Sequence, residues 1–177
     1  CKENHVPYLV HEQNSVPGLA NKMMATAASK VCISVPAARD VFEREGDPDH
    51  VVLTGNPVRR SVIEGDRARG RKALDVPEGA TFLLVFGGSL GAQHLNERVA
   101  SLKNELLSRE NLYVLHSTGA DGFEDTERAL ALTPEEARRY RVQPYIDNMG
   151  DMLAAADLVL SRSGASSVAE IAALAVP

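Results

Sequence analysis

The residues that most clearly point to chemistry are the glycines of the segment Gly87-Gly88-Ser89-Leu90-Gly91. They follow an uncharged run, residues 83–86, and precede a helical pattern that starts near Gln93. Glycine lets the backbone approach an anion closely, Ser89 adds a hydroxyl donor, and a helix that begins here presents free N–H groups. We therefore predict a phosphate-binding turn between a buried strand and a helix.

The turn is of neither of the two common phosphate-binding types. A dinucleotide fingerprint needs glycine where Phe86 stands, and an acidic residue at the end of the next strand, where residues 113–118 offer none. No lysine follows the glycines, which excludes a Walker-type loop. These absences argue against a dehydrogenase and leave a phosphate turn of another kind.

Three further polar segments follow predicted strands. They are His11-Glu12-Gln13-Asn14, Gly55-Asn56-Pro57-Val58-Arg59 and Arg162-Ser163-Gly164-Ala165. Each alone is equally typical of an ordinary loop. Together they lie where parallel sheets bind ligands, beyond the carboxyl ends of the strands, and they predict a ligand held between two domains.

Residue types suggest roles at these strand ends. Arg59 and Arg162 could pair with phosphate, although structural ion pairs are as common. Gly164 opens a helix with uncapped N–H groups. Glu170 follows six residues later, where its carboxylate could accept two hydrogen bonds from a vicinal diol such as a ribose. A solvated glutamate is the alternative interpretation for Glu170.

Histidine spacing gives no indication of a metal site. His11, His94 and His116 are not spaced as ligands with each other or with cysteine, so each is predicted to be structural rather than a general base. No metal and no cofactor are expected. The four methionines are predicted to fill cores. These are Met23, Met24, Met149 and Met152.

Composition narrows the class of protein. The 177 residues are 44% apolar with a net charge of −5, which argues against nucleic-acid binding. Every apolar run is interrupted by charge before it could cross a membrane. Two cysteines, one of them Cys32 in an apolar run, are too few for a disulfide framework or a zinc site. A cytosolic protein fits.

Alternating strands and helices predict an α/β fold with doubly wound parallel sheets. In the second part of the chain, strands are predicted at 82–86, 112–116, 141–146 and 158–160, with a helix at 92–107 and another beginning at a capping box at Thr133. Residues 1–62 and 80–177 are predicted to belong to two domains joined by a charged linker, 63–79. The chain starts without Met and stops at Pro177, where another strand is expected, so it is interpreted as an internal piece of a longer protein.

As a set and in this order, the four polar segments, with Pro17-Gly18-Leu19-Ala20-Asn21-Lys22, resemble the bacterial MurG family, glycosyltransferase family 28. The resemblance spans nearly the whole chain. It implies a GT-B fold of two Rossmann-like domains, both incomplete here. It also implies inverting, metal-independent transfer of N-acetylglucosamine from UDP-GlcNAc to undecaprenyl-diphospho-N-acetylmuramoyl-pentapeptide (lipid I to lipid II) in peptidoglycan synthesis, by a peripheral protein on the inner face of the plasma membrane.

The resemblance also implies roles for individual residues. Asn14 and Asn21 would lie near the donor sugar and the acceptor, and Arg59 and Ser89 near the donor diphosphate. In the second domain, Ile146 would face the uracil through its main chain with Met149 close by, Glu170 would hold the ribose hydroxyls, and Arg162 and Gly164 would shape that pocket. Some family members carry Gln where this chain has Leu90, which removes a side-chain hydrogen bond at that position.

The family's proposed catalytic histidine lies upstream of the matched motifs, and a His-Gln segment that binds the sugar lies downstream. The base is therefore not assigned, and the chain alone is expected not to catalyse transfer. Two alternatives stay open. One is another GT-B enzyme, such as a glycolipid synthase or a UDP-GlcNAc 2-epimerase, and the other is a non-catalytic module that binds a UDP-sugar. Oligomeric state and membrane-contact residues are not indicated.

Overall fold

The chain folds as two compact units that divide after Pro57. A computed structural model describes residues 6–43, 47–88 and 91–177. Both units are built on parallel sheets with helices between the strands, which confirms the α/β fold class.

The first unit contains a three-stranded sheet in the order β1-β2-β3, with all strands parallel. Its strands are β1 (Leu9–Glu12), β2 (Lys30–Ile33) and β3 (Val51–Leu53), and its α-helices are α1 (Leu19–Ala25) and α2 (Arg39–Phe42). Short 3-10 turns at Pro36–Ala38 and Pro48–His50 precede α2 and β3. The buried residues of β1 are Val10 and Glu12.

Alternate residues of these strands form the core of the first unit. Val10, Val31 and Ile33 are buried, and they pack with Ala25 of α1. The prediction that Met23 and Met24 fill the core is wrong, since α1 turns its alanine to the sheet and leaves Leu19, Met23 and Met24 exposed. A small residue at the contact lets the helix approach the strands closely.

The second unit contains a four-stranded parallel sheet in the order β6-β5-β4-β7. Its strands are β4 (Thr81–Phe86), β5 (Leu112–Ser117), β6 (Tyr140–Gln143) and β7 (Leu158–Ser161). Its helices are α3 (Arg60–Ile63), α4 (Arg67–Ala73), α5 (Gln93–Ser101), α6 (Lys103–Leu107), α7 (Phe123–Leu130), α8 (Met149–Ala155) and α9 (Ala165–Ala173).

Helices cover both faces of this sheet, as the buried strand β4 requires. On one face Phe82, Leu84 and Phe86 pack with α8 and α9, and on the other Val85 packs with α5 and α7. Met152 of α8 is buried and Met149 packs against the same core, which confirms the prediction for these two methionines.

Residues 63–79, expected to be a linker, lie inside the second unit. Their charges form long-range contacts: Arg69 pairs with Asp151 at 2.7 Å, and Arg67 and Arg71 both pair with Asp157. Hydrogen bonds from Arg69 and from the Asp66 amide hold the pKa of Asp151 below its usual value. The charge cluster therefore fastens α4 to α8.

Glycines bring α3, α4 and α8 into backbone contact. A Cβ atom on Gly65 would collide with the Gly150 carbonyl, one on Gly70 with the Asp151 carbonyl, and one on Gly150 with the Ser61 carbonyl. The three helices therefore have no room for side chains at these crossings and cannot slide past one another.

Two predicted helices differ from the structure. The helix expected at 92–107 breaks at Leu102, whose φ/ψ of −94°/10° ends α5 before α6 begins. At the predicted capping box, Thr133 and Glu136 exchange both hydrogen bonds, at 2.8 and 3.2 Å. Only a 3-10 turn, Glu136–Arg138, follows, because the chain enters β6 two residues later.

Candidate functional site

Strand register places four loops of the second unit at one edge. Phe86 at the end of β4 pairs with Ser117 of β5 and Ser161 of β7, and Ser117 pairs with Gln143 of β6. All four strands therefore end level with one another. The loops that follow them include the predicted glycine turn and the predicted Arg162–Gly164 turn.

The order of strands puts these two turns on either side of a crevice. From β4 the chain proceeds outward to β5 and β6, then returns to β7 on the other side of β4. The helices that follow β4 and β7 consequently pass to opposite faces, and the loops part between them. Such switch points are where open α/β sheets bind ligands.

The described glycines of the turn after β4 adopt conformations that favour glycine. Gly88 and Gly91 have φ angles of +96° and +77°, and the Gly91 amide donates to the Gly88 carbonyl at 3.0 Å. A Cβ atom on Gly87 would collide with Ala92, and one on Gly91 with the Thr118 carbonyl. Ser89, the predicted hydroxyl donor, lies outside the described residues.

Both helices at the crevice begin without a side-chain cap. Ala92 precedes α5 and Gly164 precedes α9, and neither has a side-chain oxygen that could accept from the first-turn amides. Arg162 is exposed and its carbonyl accepts from the Gly164 amide at 2.9 Å, which closes the turn before α9. Two sets of helix N-terminal donors thus lie beside the switch point, as an anion site requires.

The second unit also brings together two predicted site residues 111 positions apart. Nε and Nη2 of Arg59 both donate to Oε1 of Glu170, at 3.2 and 3.0 Å. The Glu170 side chain is 13% exposed and that of Arg59 is 61% exposed. Glu170 is therefore not the solvated helix glutamate of the alternative interpretation, and one of its two oxygens, Oε1, already accepts hydrogen bonds.

Arg59 and Met149 line one cavity of about 190 Å³, with Asp147 and Asn148. Met149 begins α8, and Ile146 three residues earlier is buried in the core next to it. The Ile146 side chain is thus used in packing, so that any contact of this residue with a base would be made by its main chain, in the form that the sequence analysis expected.

In the first unit, Asn14 and Asn21 are joined by a buried carboxylate. Glu12 is 1% exposed and accepts four hydrogen bonds, from the Asn14 amide and side chain and from the Gly18 amide and Asn21 side chain, at 2.9 to 3.0 Å. Burial raises its pKa, but these hydrogen bonds outweigh burial and lower it to about 2. Glu12 is thus a structural anion, and sequence reasoning missed it.

Two of the histidines that the sequence analysis considered, His11 and His116, have structural hydrogen bonds. His11 Nε2 lies 3.1 Å from the Gly55 carbonyl oxygen, and it therefore carries the proton on Nε2. His116 is fully buried between Tyr140 and Asn96, with both contacts at 3.1 Å. Burial lowers the pKa of His116 to about 4. Neither ring is placed as a free base.

The hydrogen bonds around the buried His116 determine which atom of each group donates and which accepts. Asn96 Nδ2 donates to the Thr118 carbonyl at 2.9 Å, so Asn96 Oδ1 is an acceptor and His116 Nε2 is the donor to it. Nδ1 then accepts from the Tyr140 hydroxyl. The chain of bonds ties α5 to the end of β5, beside the glycine turn.

Within the described ranges, no cluster of three histidine, cysteine or acidic side chains is arranged to hold a metal ion. Nor does any described helix combine the length and the apolar character that a membrane crossing demands. The assignments of Asn14, Asn21, Arg59, Ile146, Met149, Arg162, Gly164 and Glu170 to a ligand stay predictions. The structure gives their positions and their present contacts.

Comparison with known proteins gives one family. Residues 82–177 match the family described as "Glycosyltransferase family 28 C-terminal domain". The chain is 37% identical to a protein of Acetivibrio thermocellus and 39% identical to one of Bacillus licheniformis, over 97% of this chain and 45% of each relative. Both are named UDP-N-acetylglucosamine--N-acetylmuramyl-(pentapeptide) pyrophosphoryl-undecaprenol N-acetylglucosamine transferase. The chain thus spans about half the length of these relatives.

Solved structures give the same result. The fold is similar to that of Acinetobacter baumannii MurG, with a TM-score of 0.60 and 28% identity over 98% of this chain and 45% of that one. A second similar structure is WaaG, described as a glycosyltransferase involved in lipopolysaccharide biosynthesis, with a TM-score of 0.56. At 14% identity WaaG shares the fold alone.

Proposed function

Because the chain belongs to glycosyltransferase family 28, we propose that its second unit is the nucleotide-sugar site of an enzyme that transfers N-acetylglucosamine from UDP-GlcNAc to undecaprenyl-diphospho-N-acetylmuramoyl-pentapeptide. The relatives' names supply the reaction, since 34% to 39% identity extends over nearly the whole chain. The proposal includes the lipid acceptor, and with it a membrane surface at which the acceptor is presented.

One observation carries the proposal. At the edge of a single sheet, uncapped helix starts at Ala92 and Gly164 flank the switch point, and a mostly buried carboxylate, Glu170, lies on the second of these helices. Uncapped N–H groups suit phosphate, and a carboxylate suits the two hydroxyls of a ribose. A nucleoside diphosphate carries both groups.

The remaining ligand contacts follow from the same layout. The glycine turn would lie against the diphosphate, and Arg59 and Arg162 would supply positive charge near it. The uracil would contact the main chain of residues 146–149, beside the cavity that Arg59 and Met149 share. Asn14 and Asn21, oriented by Glu12, would contribute to the sugar and acceptor side.

The chemistry that this proposal needs is the displacement of UDP from the anomeric carbon by an acceptor hydroxyl. The hydroxyl oxygen forms the new bond to carbon, its proton passes to a general base that is not assigned among the residues of this chain, the bond to the diphosphate oxygen breaks, and its electron pair leaves with UDP. Helix N-termini and arginines stabilise the charge that develops on the diphosphate. We propose that the reaction uses no metal and that it inverts the anomeric centre, as the family resemblance implies.

Calorimetric titration of UDP-GlcNAc, UDP-GalNAc and UDP into the purified chain tests the site. We expect saturable binding of UDP, and a loss of about tenfold or more in Glu170→Ala because two charged hydrogen bonds to the ribose are removed. The matched control is Glu105→Ala, an exposed glutamate on α6, which should bind as the unaltered chain does. Equal binding in Glu170→Ala and Glu105→Ala would contradict the ribose role.

A preference for one UDP-sugar over another distinguishes the proposed transferase from the alternative GT-B enzymes only in part. Tighter binding of UDP-GlcNAc than of UDP-GalNAc supports the N-acetylglucosamine assignment. Acceptor specificity requires transfer assays with the lipid-linked muramyl pentapeptide and a chain of the relatives' full length. Absence of product with that acceptor, beside intact UDP-GlcNAc binding, would favour a UDP-sugar-binding module.

A further inference from the structure

The ion pair between Arg59 and Glu170 occupies the carboxylate that the proposed function reserves for a ribose. Two guanidinium N–H groups of Arg59 converge on Oε1 of Glu170, at 3.2 and 3.0 Å. Glu170 belongs to α9, and Arg59 immediately precedes α3. One residue of the proposed site is therefore a hydrogen-bond partner of another.

We propose that Arg59 makes the site specific for phosphorylated nucleosides. Its guanidinium stays paired with Glu170, the proposed diol-binding carboxylate, until a diphosphate replaces Glu170 as its partner. This inference rests on the proposed function, because it assumes a nucleotide at Glu170. It goes beyond the proposed function because it predicts weaker binding of every ligand that lacks phosphate, since such a ligand breaks the ion pair and gives Arg59 no new anionic partner. Arg59 then does more than contact the diphosphate.

The geometry makes the two ligands of Glu170 competitors. A guanidinium edge presents two parallel donors to a carboxylate, and the hydroxyls of a vicinal diol present two donors as well. Both Arg59 donors converge on Oε1, and Oε2 has no hydrogen-bond partner among the described residues, so a diol that donates one hydroxyl to each oxygen competes with Arg59 for Oε1. The Glu170 side chain is 13% exposed, so little of it is open to an additional ligand.

The exposure of Arg59 allows the displacement. Its side chain is 61% exposed, so the guanidinium can swing into solvent or toward a phosphate without unpacking the core. A nucleoside alone breaks the ion pair and gives the guanidinium no new anionic partner. A nucleoside diphosphate breaks the same pair and supplies phosphate oxygens, which form strong bidentate contacts with arginine. The site should therefore discriminate against nucleosides more than the phosphate contacts alone would.

Binding of uridine, UMP and UDP to Arg59→Ala tests the inference, with chemical-shift titrations for the weak ligands. We expect uridine to bind about two- to fivefold more tightly than to the unaltered chain, the factor that a partly exposed ion pair contributes. UDP should bind about tenfold more weakly because it loses a charged contact. A simple phosphate contact predicts no change for uridine, so the direction of that change is decisive.

A neighbouring arginine provides the matched control. Arg60 forms an exposed ion pair with Glu64, four residues along the chain, at 2.7 Å. Arg60→Ala removes the same charge one position away and should leave uridine affinity unchanged. Arg59→Lys keeps the charge but lacks the planar pair of donors, so it should recover part of the UDP affinity.

Outcomes for this inference and for the proposed function are separable. Unchanged or weaker uridine binding in Arg59→Ala overturns the inference, while UDP binding that depends on Glu170 keeps the proposed function. A gain for 2′,3′-dideoxyuridine as large as that for uridine also overturns it, because that ligand has no diol. A chain that binds neither uridine nor UDP contradicts both.

Discussion

The two sheet edges of this protein use polar residues in opposite ways. At the edge of the first unit, Glu12 accepts hydrogen bonds from four groups, and the asparagines around it are held by that carboxylate. At the edge of the second unit, backbone amides of two helix starts have no side-chain cap, and the carboxylate Glu170 has an exposed, movable partner. The carboxylate of Glu12 is satisfied by its own neighbours, although Ser34 Oγ and the Asn56 side-chain amide, which follow β2 and β3, have no hydrogen-bond partner among the residues that the structure describes. The second edge is the one proposed to bind an external ligand.

A structural carboxylate and one proposed to bind a ligand can be compared here. Glu12 ends β1 and Glu170 lies within α9, and both side chains are largely buried. What separates them is the identity of their donors. The donors to Glu12 are backbone amides and short asparagine side chains, which cannot move away from it. The long side chain of Arg59 can move away from Glu170.

The largest expected effect comes from removing the charge of Glu12. In Glu12→Gln the side chain loses two acceptor positions and places an NH2 group against amide donors, so we expect the free energy of unfolding to fall by about 3 kcal/mol. Hydrogen exchange at Val31, in the core of the same unit, measures it. Glu43→Gln, an exposed glutamate after α2, is the control. A change below about 1 kcal/mol would show that Glu12 does not organise this edge.

The next effect is a dependence on pH in the second unit. The pKa of His116 is lowered to about 4 by burial, from 6.5. Between these values the unfolded chain binds a proton that the folded chain does not, so stability falls as pH falls from about 6.5 to 4, by about 3 kcal/mol in total. Urea unfolding across this range measures it.

A variant isolates the contribution of the histidine to that pH dependence. His116→Gln can still donate to Asn96 but does not titrate, so its stability should be flat between pH 6.5 and 4.5. Carboxylates with lowered pKa, such as Asp151 and Glu12, lose their contributions only at lower pH. An equal slope in the variant would assign the effect to another group.

A smaller effect separates two glycines of the phosphate turn. Gly88 and Gly91 both have positive φ, but a Cβ on Gly91 would strike the Thr118 carbonyl, while one on Gly88 meets no atom that the structure describes within 4 Å. Gly88→Ala should cost about 1 kcal/mol from backbone strain alone, and Gly91→Ala about 2 kcal/mol with displacement of the turn. Thermal unfolding of both variants measures the difference, and equal costs would mean that the turn relaxes freely.

Local patterns in the sequence predicted much of the second unit. The uncharged run before Gly87 predicted β4, and the spacing of four strands predicted the parallel sheet whose edge carries the glycine turn. The glycine turn could be predicted because a positive φ and a close approach of the backbone depend on glycine itself. Glu170 was singled out by its spacing from Gly164.

The features that the sequence did not predict share a physical cause: each depends on contacts with residues distant in the sequence. Arg67 and Arg69 suggested a solvated linker because Asp157 and Asp151 are more than 80 residues away. Met23 was assigned to a core because methionine commonly fills one, but α1 buries Ala25 and leaves Met23 exposed. Likewise, the ion pair of Arg59 with Glu170 joins residues that no local pattern connects.

The interlocked glycines of α3, α4 and α8 have a consequence for timescale. Arg59 is attached to the start of α3, and Met149 to the start of α8, and these helices touch through their backbones. The root of the arginine is thus fixed to the body that carries residues 146–149. The proposed change of partner is a rotation about side-chain bonds, which takes picoseconds to nanoseconds, so it should not limit the rate of ligand binding at the proposed site.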